Sequence, residues 1–247
     1  MSTPLQPGAA ALLAPTGRLR ASINLGNPIL ASLDPATGRA RGVSVDLAQA
    51  LADHLGVALD LLEFPAATKS VDAVTAGVAD IGFFAIDPLR GAEIAFTQPY
   101  LLIEGAYLVR ADSACQVNED VDREGTRIVV GKGSAYDLFL SRECRQATFV
   151  RVPGAAEVVE TLRSGGAEVA GGIRQVLVEV AKRTPGLRVL PGRFMVIRQA
   201  MALARSRGVH ADAMLHAFVE AMKASGFVAE AMRRHAVAGA TVAPAAP

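Results

Sequence analysis

The sequence predicts two α/β lobes, each a mixed sheet flanked by helices, joined by two strands that cross from one lobe to the other. Three observations carry this. From about Arg18 onwards, apolar runs alternate with amphipathic stretches, the order in which strands and their covering helices follow one another. The alternation is completed twice in succession. Two strand-like segments without a strong breaker, Tyr107–Arg110 and Phe194–Ala204, stand where the chain passes between the two series.

In order, Leu19–Leu25 reads as a strand. Gly42–Leu55 has helical period, with Leu47, Ala48, Leu51, Ala52 and Leu55 on one stripe and Gly56 in the C-cap place. Leu59–Phe64 is a strand, Val71–Val78 a short helix and Ile81–Ile86 a buried strand. The second series has strands at Thr126–Val130, Thr148–Val152, Val169–Gly171 and Leu187–Leu190. Its helices are Ser134–Arg142, Ala155–Arg163 and Ile173–Arg183. Ala211–Ser225 and Phe227–His235 are closing helices split by Gly226. Residues 1–16 and 239–247 are expected to be flexible tails.

Composition excludes several classes. The chain has 247 residues, 51% of them hydrophobic but only 5% aromatic, without tryptophan; that suffices for a large aliphatic core and excludes a disordered chain. With 25 basic and 24 acidic residues and no basic run, it lacks the footprint of a nucleic-acid or anionic-membrane binder. Every apolar run is interrupted too soon to span a bilayer. Cys115 and Cys144 are too few for a disulfide scaffold and lack metal-site spacing; whether they pair stays open. The segment Pro7–Ala14 is short, and no Lys or Arg precedes it, unlike a secretory signal. A cytoplasmic location is therefore expected if Met1 is the true start, and an exported one if a leader precedes it.

Enzyme signatures are near misses. Gly125 and Gly131-Lys132 resemble a phosphate loop, but the spacing is one residue too long and Gly133 stands where Ser or Thr belongs. No Gly-x-Ser-x-Gly elbow occurs. His210 and His216 fall on different helix faces, and none of the four histidines has metal-ligand pairing. No catalytic residue, metal or cofactor is assigned.

Two local features carry more. In Asp87-Pro88-Leu89-Arg90, directly after a buried strand, Asp is a favoured N-cap and Pro a favoured first helical residue. Arg90 then stands at the C-terminal mouth of a strand, where open α/β sheets bind ligands, with a guanidinium suited to a carboxylate. An ordinary surface pairing of Arg90 with Asp87 or Glu93 accounts for the local sequence equally well. Gly131-Lys132-Gly133-Ser134 is a glycine-rich turn opening a helix, which aims N–H groups at an anion. Ser134 with Asp137 is also close to a capping box, which satisfies the helix without any ligand.

Six stretches together carry a family resemblance: Gly17–Asn24 (GRLRASIN), Gly38–Gly56 (GRARGVSVDLAQALADHLG), Ala79–Arg90 (ADIGFFAIDPLR), Ile94–Val109 (IAFTQPYLLIEGAYLV), Arg127–Leu140 (RIVVGKGSAYDLFL) and Leu162–Gly172 (LRSGGAEVAGG). Over about residues 17–238 their order resembles the family 3 bacterial extracellular solute-binding proteins, the amino-acid receptors of ABC importers. The resemblance implies a type II periplasmic-binding-protein fold. Lobe 1 would hold residues 17–106 and 200–238, lobe 2 residues 111–194, and 107–110 and 195–199 would be hinge strands. It further implies a small carboxylate-bearing ligand, organic acid or amino acid, ABC permease subunits as partners, no nucleic acid, a monomer and a periplasmic setting.

Residue by residue, the family's carboxylate-binding Arg falls on Arg90, and its anion-holding turn on Ser134 and Ala135. The strand that often offers hydroxyls to the ligand reads Gly82-Phe83-Phe84-Ala85 here. The stacking aromatic falls near Asn27-Pro28. The acid that meets the ligand's ammonium falls on Ile173, beside Arg174 and Gln175. This departure points to a carboxylate without an α-ammonium, unless Asp87 or Glu104 supplies the acceptor. Cyclohexadienyl dehydratases share the fold but use acidic groups where this chain has Gly172-Ile173-Arg174-Gln175. A cytoplasmic ligand sensor is the other alternative.

Overall fold

The computed structural model describes residues 8–246. The chain divides into two compact units. One runs through Leu101 and takes in Arg198–Ala238 and 242–246; the other is Leu102–Ile197 with Gly239–Thr241.

The first unit opens with α1 (Ala9–Leu13), β1 (Arg18–Asn24) and a small antiparallel pair, β2 (Ser32–Leu33) and β3 (Ala40–Arg41). Then come α2 (Val43–Leu55), β4 (Ala58–Phe64), α3 (Ala67–Thr75), β5 (Ile81–Ala85) and the long β6 (Ile94–Arg110). β1 pairs in parallel with both β4 and β5. The stripe expected on α2 is buried, together with Val43 and Ser44. Gly42 has φ 131°, and a Cβ there would lie 2.3 Å from the Leu30 carbonyl oxygen, so the bend into α2 requires glycine. Two acids of the family-like stretches hold this unit together. Asp46 receives Arg234 Nη1 at 2.8 Å and His235 Nε2 at 2.9 Å. Asp80 has a fully buried side chain and accepts from Arg20 and Arg207.

The second unit contains β7 (Arg127–Gly131), α4 (Ala135–Glu143), β8 (Thr148–Val152), α5 (Ala155–Arg163), β9 (Val169–Ile173), α6 (Arg174–Arg183) and β10 (Leu187–Val189). β7 is parallel to β8 and β9, while β6 runs antiparallel to β9 and β10, so this sheet is mixed. Alternation on the strands builds two cores. Ala106, Leu108, Val129 and Ala170 pack with Leu162 and Leu177 on one side. Tyr107, Val109, Ile128 and Val130 pack with Leu140 on the other.

β11 (Met195–Ala204) returns the chain to the first unit, antiparallel to β5. The helices α7 (Val209–Ala224) and α8 (Phe227–Arg234) and the strand β12 (Ala240–Val242) follow.

Several expectations are corrected. The first crossing was placed at 107–110, but the unit boundary falls between Leu101 and Leu102, and Tyr107 and Val109 are core residues of the second unit. β6 is one unbroken 17-residue strand, so no local signal marks where it changes unit. The N-terminal tail is ordered where described: Leu13 is buried and its carbonyl accepts from Arg207 Nη2. Residues 1–7 lie outside the described range. The C-terminal tail forms β12 on β6, and Lys223 Nζ donates to the Pro244 carbonyl at 2.7 Å. β9 continues to Ile173, because Gly171 and Gly172 fit close under Leu140 and Leu177 instead of ending the strand.

Candidate functional site

Each unit brings its predicted residues to the C-terminal ends of its parallel strands, the edge at which such sheets take ligands. In the first unit Asn27 follows β1, while Ala85 ends β5 and is followed by Asp87 and Arg90. In the second, Ser134 and Ala135 follow β7, and Ile173 and Arg174 stand at the junction of β9 and α6.

The Asp-Pro turn forms as its chemistry dictates, though as a single 3-10 turn over Arg90–Ala92. Asp87 Oδ1 accepts from the Leu89 N–H at 2.9 Å, and its carbonyl accepts from Gly91 N–H at 2.9 Å. This folds Arg90 back over the end of β5, where it is 9% exposed and its Nη1 donates to the Ala85 carbonyl at 3.2 Å. Burial lowers the pKa of this guanidinium, and the nearby Asp87 carboxylate acts in the opposite direction.

Two other residues of this unit serve its packing. Asn27 Oδ1 accepts from Ile29 N–H at 3.2 Å and its carbonyl accepts from Leu30 and Ala31, so it shapes the loop after β1. Phe84 was a candidate ligand contact, but its ring is buried in the core with Val74, Ile94 and Ala202. Phe83 on the opposite face meets Tyr100 edge-on at 6.3 Å. Both phenylalanine rings are buried on their own faces of β5, so they replace the hydroxyls without lining an opening.

In the second unit, Ser134 Oγ caps α4 by accepting from Asp137 N–H at 3.2 Å. The Asp137 carboxylate reaches back to Gly133 N–H at 2.8 Å and receives Arg151 Nε at 2.9 Å. Ser134 N–H donates to the Gly131 carbonyl. Of the two backbone N–H groups expected to hold an anion, this leaves Ala135, the first residue of α4, which has no intrahelical acceptor. Ile173 is the N-cap of α6, extended and 8% exposed, and provides no side-chain cap. Arg174 Nε lies 3.0 Å from Glu104 Oε2, an ion pair without hydrogen-bond alignment. Arg193 Nη1 takes the other Glu104 oxygen at 2.7 Å. The acid proposed as a substitute ammonium acceptor is therefore occupied by two guanidiniums.

Sequence reasoning missed Gln199. It pairs with Ala85 across β11 and β5, is 4% exposed, and its Oε1 has no hydrogen-bond partner. Its signal was a single amide in the otherwise apolar run that follows Arg198. Two cavities lie away from these residues. One of about 600 Å³ is lined by Thr75, Glu93 and Arg205, and one of about 490 Å³ by Arg110, Arg123 and Glu168. Cys115 and Cys144 are both free thiols, packed around one core cluster. Among the described residues no three His, Cys, Asp or Glu side chains gather as metal ligands.

A family model, that of the bacterial extracellular solute-binding proteins, family 3, matches residues 27–237. The glutamine-binding protein of Geobacillus stearothermophilus is 25% identical over 166 residues, 65% of this chain; the match spans 63% of that relative. Among solved structures, the L-cysteine solute receptor of Neisseria gonorrhoeae aligns with a TM-score of 0.78 at 21% identity, over 94% of each chain. An ancestral amino acid-binding protein, a precursor of cyclohexadienyl dehydratase, aligns at 0.74 and 21% identity, over 90% of this chain and 96% of that one. These structural likenesses establish a shared type II periplasmic-binding-protein fold.

Proposed function

Because the chain belongs to the bacterial extracellular solute-binding proteins, family 3, we propose that it captures a small carboxylate-bearing solute and delivers it to the permease of an ABC importer. The observation that carries the reading is Arg90, a guanidinium held nine-tenths buried at the C-terminal end of β5. Its planar fork suits bidentate capture of a carboxylate. Within the second unit, Ala135 N–H and Ser134 at the start of α4 are the groups suited to an anion. The setting is the extracellular or periplasmic one of the family; no helix among the described residues is long and apolar enough to cross a membrane.

The ligand lacks an α-ammonium. Such a cation needs a carboxylate or several acceptors once removed from water. Ile173 provides none, Glu104 is held by Arg174 and Arg193, and Asp87 takes the Leu89 N–H with the Arg90 guanidinium nearby. The same segment argues against a dehydratase, since Gly172–Gln175 carries no acid.

A thermal-shift screen of organic acids and amino acids, followed by calorimetry, tests this, because a ligand raises apparent stability by RT ln(1 + [L]/Kd). Arg90→Ala is expected to weaken the best acid by roughly 100-fold, two charge-assisted bonds being lost, and Arg90→Lys to recover only part. Unchanged binding by Arg90→Ala would refute the assignment. An amino acid that binds at least tenfold (about 1.4 kcal/mol) tighter than its deamino analogue would refute the absence of an ammonium.

A further inference from the structure

We propose that Gln199 is a ligand-binding and specificity-determining residue, its carboxamide accepting a hydrogen bond from an uncharged donor on the ligand, so that the solute is a hydroxycarboxylate. The inference rests on the carboxylate reading above and adds the second polar group of the ligand.

The starting point is an orphan. Gln199 is 96% buried by its 4% exposure, and its Oε1 has no hydrogen-bond partner. Buried polar atoms in native proteins are nearly all paired, and one that is not calls for a specific explanation. The local chain offers none. Along β11 the residues on the same face are Ile197 and Met201, both buried and apolar. Across the ladder the partner is Ala85, which has no polar side chain. A Leu or Met would suit this register better, so an amide here costs stability unless something outside the chain completes it.

The position says what that something is. Ala85 is the common neighbour of two polar groups. Its backbone pairs with Gln199, and its carbonyl receives Arg90 Nη1 at 3.2 Å. The Ile86 N–H donates to the Arg198 carbonyl and so turns the Ala85 carbonyl away from β11; the orphaned amide and the guanidinium assigned to the carboxylate therefore flank the end of β5 from opposite sides, at the ligand-taking edge of the same sheet. A carboxamide is neutral, so its oxygen matches a hydroxyl. An ammonium would lack the balancing charge that burial demands. This agrees with the loss of the acid at Ile173.

The test uses Gln199→Met, which keeps length and removes both polar atoms, on the full chain. Matched pairs of 2-hydroxy and 3-hydroxy acids with their deoxy counterparts are titrated by calorimetry, and melting of the ligand-free proteins is recorded. For the wild type, at least one hydroxy acid should bind tenfold or more tighter than its deoxy partner. Gln199→Met should reduce that preference to about twofold, leave the deoxy acid within about threefold, and melt no lower than the wild type without ligand. A preference that survives in Gln199→Met would overturn the inference, as would its absence in the wild type. A lowered ligand-free melting temperature with all acids weakened together would also overturn it, by showing a structural amide. If no carboxylate binds the wild type at any concentration tested, the carboxylate reading itself fails and takes this inference with it. If deoxy acids bind and Arg90→Ala abolishes that binding, only the role of Gln199 is lost.

Discussion

Replacing Asp137 by alanine should loosen the turn that presents Ser134 and Ala135, and the size of the effect follows from its contacts. The carboxylate is 5% exposed and accepts from Gly133 N–H at 2.8 Å, Ser141 Oγ at 3.2 Å and Arg151 Nε at 2.9 Å. Loss of the Gly133 contact, equivalent to a capping bond, costs about 1 kcal/mol. Arg151 is 41% exposed, so water screens its ion pair and recovers the freed guanidinium, which limits that loss to about 0.5–1 kcal/mol. Ser141 costs little, since Arg151 Nη2 already donates to its Oγ at 2.7 Å. The Ser134 cap survives, because it uses the Asp137 backbone. Together these give about 1.5–2 kcal/mol for Asp137→Ala. Asp137→Asn keeps an acceptor for Gly133 and should lose about half as much. Equilibrium urea unfolding of the two variants and the wild type measures both differences. If Asp137→Ala fell within about 0.5 kcal/mol of wild type, or Asn were as damaging as Ala, the turn would not be held in this way.

Three further outcomes follow. Ile173→Asp restores an acid at the N-terminus of α6, where a carboxylate is favoured, and should improve an amino acid at least tenfold relative to its deamino analogue in paired calorimetric titrations; an unchanged ratio would place the residue away from the ligand. The Asp122 carboxylate accepts the N–H groups of Ala147, Arg145 and Gln146, and these bonds, Ala147's foremost, hold its pKa below the ordinary aspartate value. Its stabilisation is therefore complete above the unfolded value near about 4 and is lost as pH falls through the folded value. The stability gap between wild type and Asp122→Asn should be wide at neutral pH and close on acidification; a constant gap would contradict the assignment. Deleting the chain from Gly239 onwards removes β12 and the Pro244 acceptor of Lys223, and should cost about 1–2 kcal/mol in thermal melts; no loss would mean the tail adds nothing to β6.

The parts of the fold legible in the sequence are those written within a few residues of one another. The alternation of strands and helices, the stripe on α2, the Asp87-Pro88 turn and the Ser134 cap all depend on contacts inside one helical turn or on one strand's alternation, so a local window contains their cause. The family-like stretches were legible as well, although Asp46 and Asp80 within them prove to bind arginines and a histidine of the fold.

What only the tertiary structure decided are pairings between distant residues. Phe84 reads as a pocket residue until α3 and β11 are seen to cover it. Nothing near Glu104 in the sequence announces Arg174 and Arg193 as its partners. β6 changes unit in the middle of an uninterrupted strand, and the C-terminal tail becomes a strand because β6 offers it an edge. Gln199 is the clearest case. As a sequence it is one amide in an apolar run, and only its pairing with Ala85, across the end of β5 from Arg90, shows a buried polar atom left without a partner at the edge where the ligand is expected. Local propensity is set by a residue's own backbone and nearest neighbours, whereas the cost of a buried polar group depends on everything packed around it, which exists only once the chain has folded.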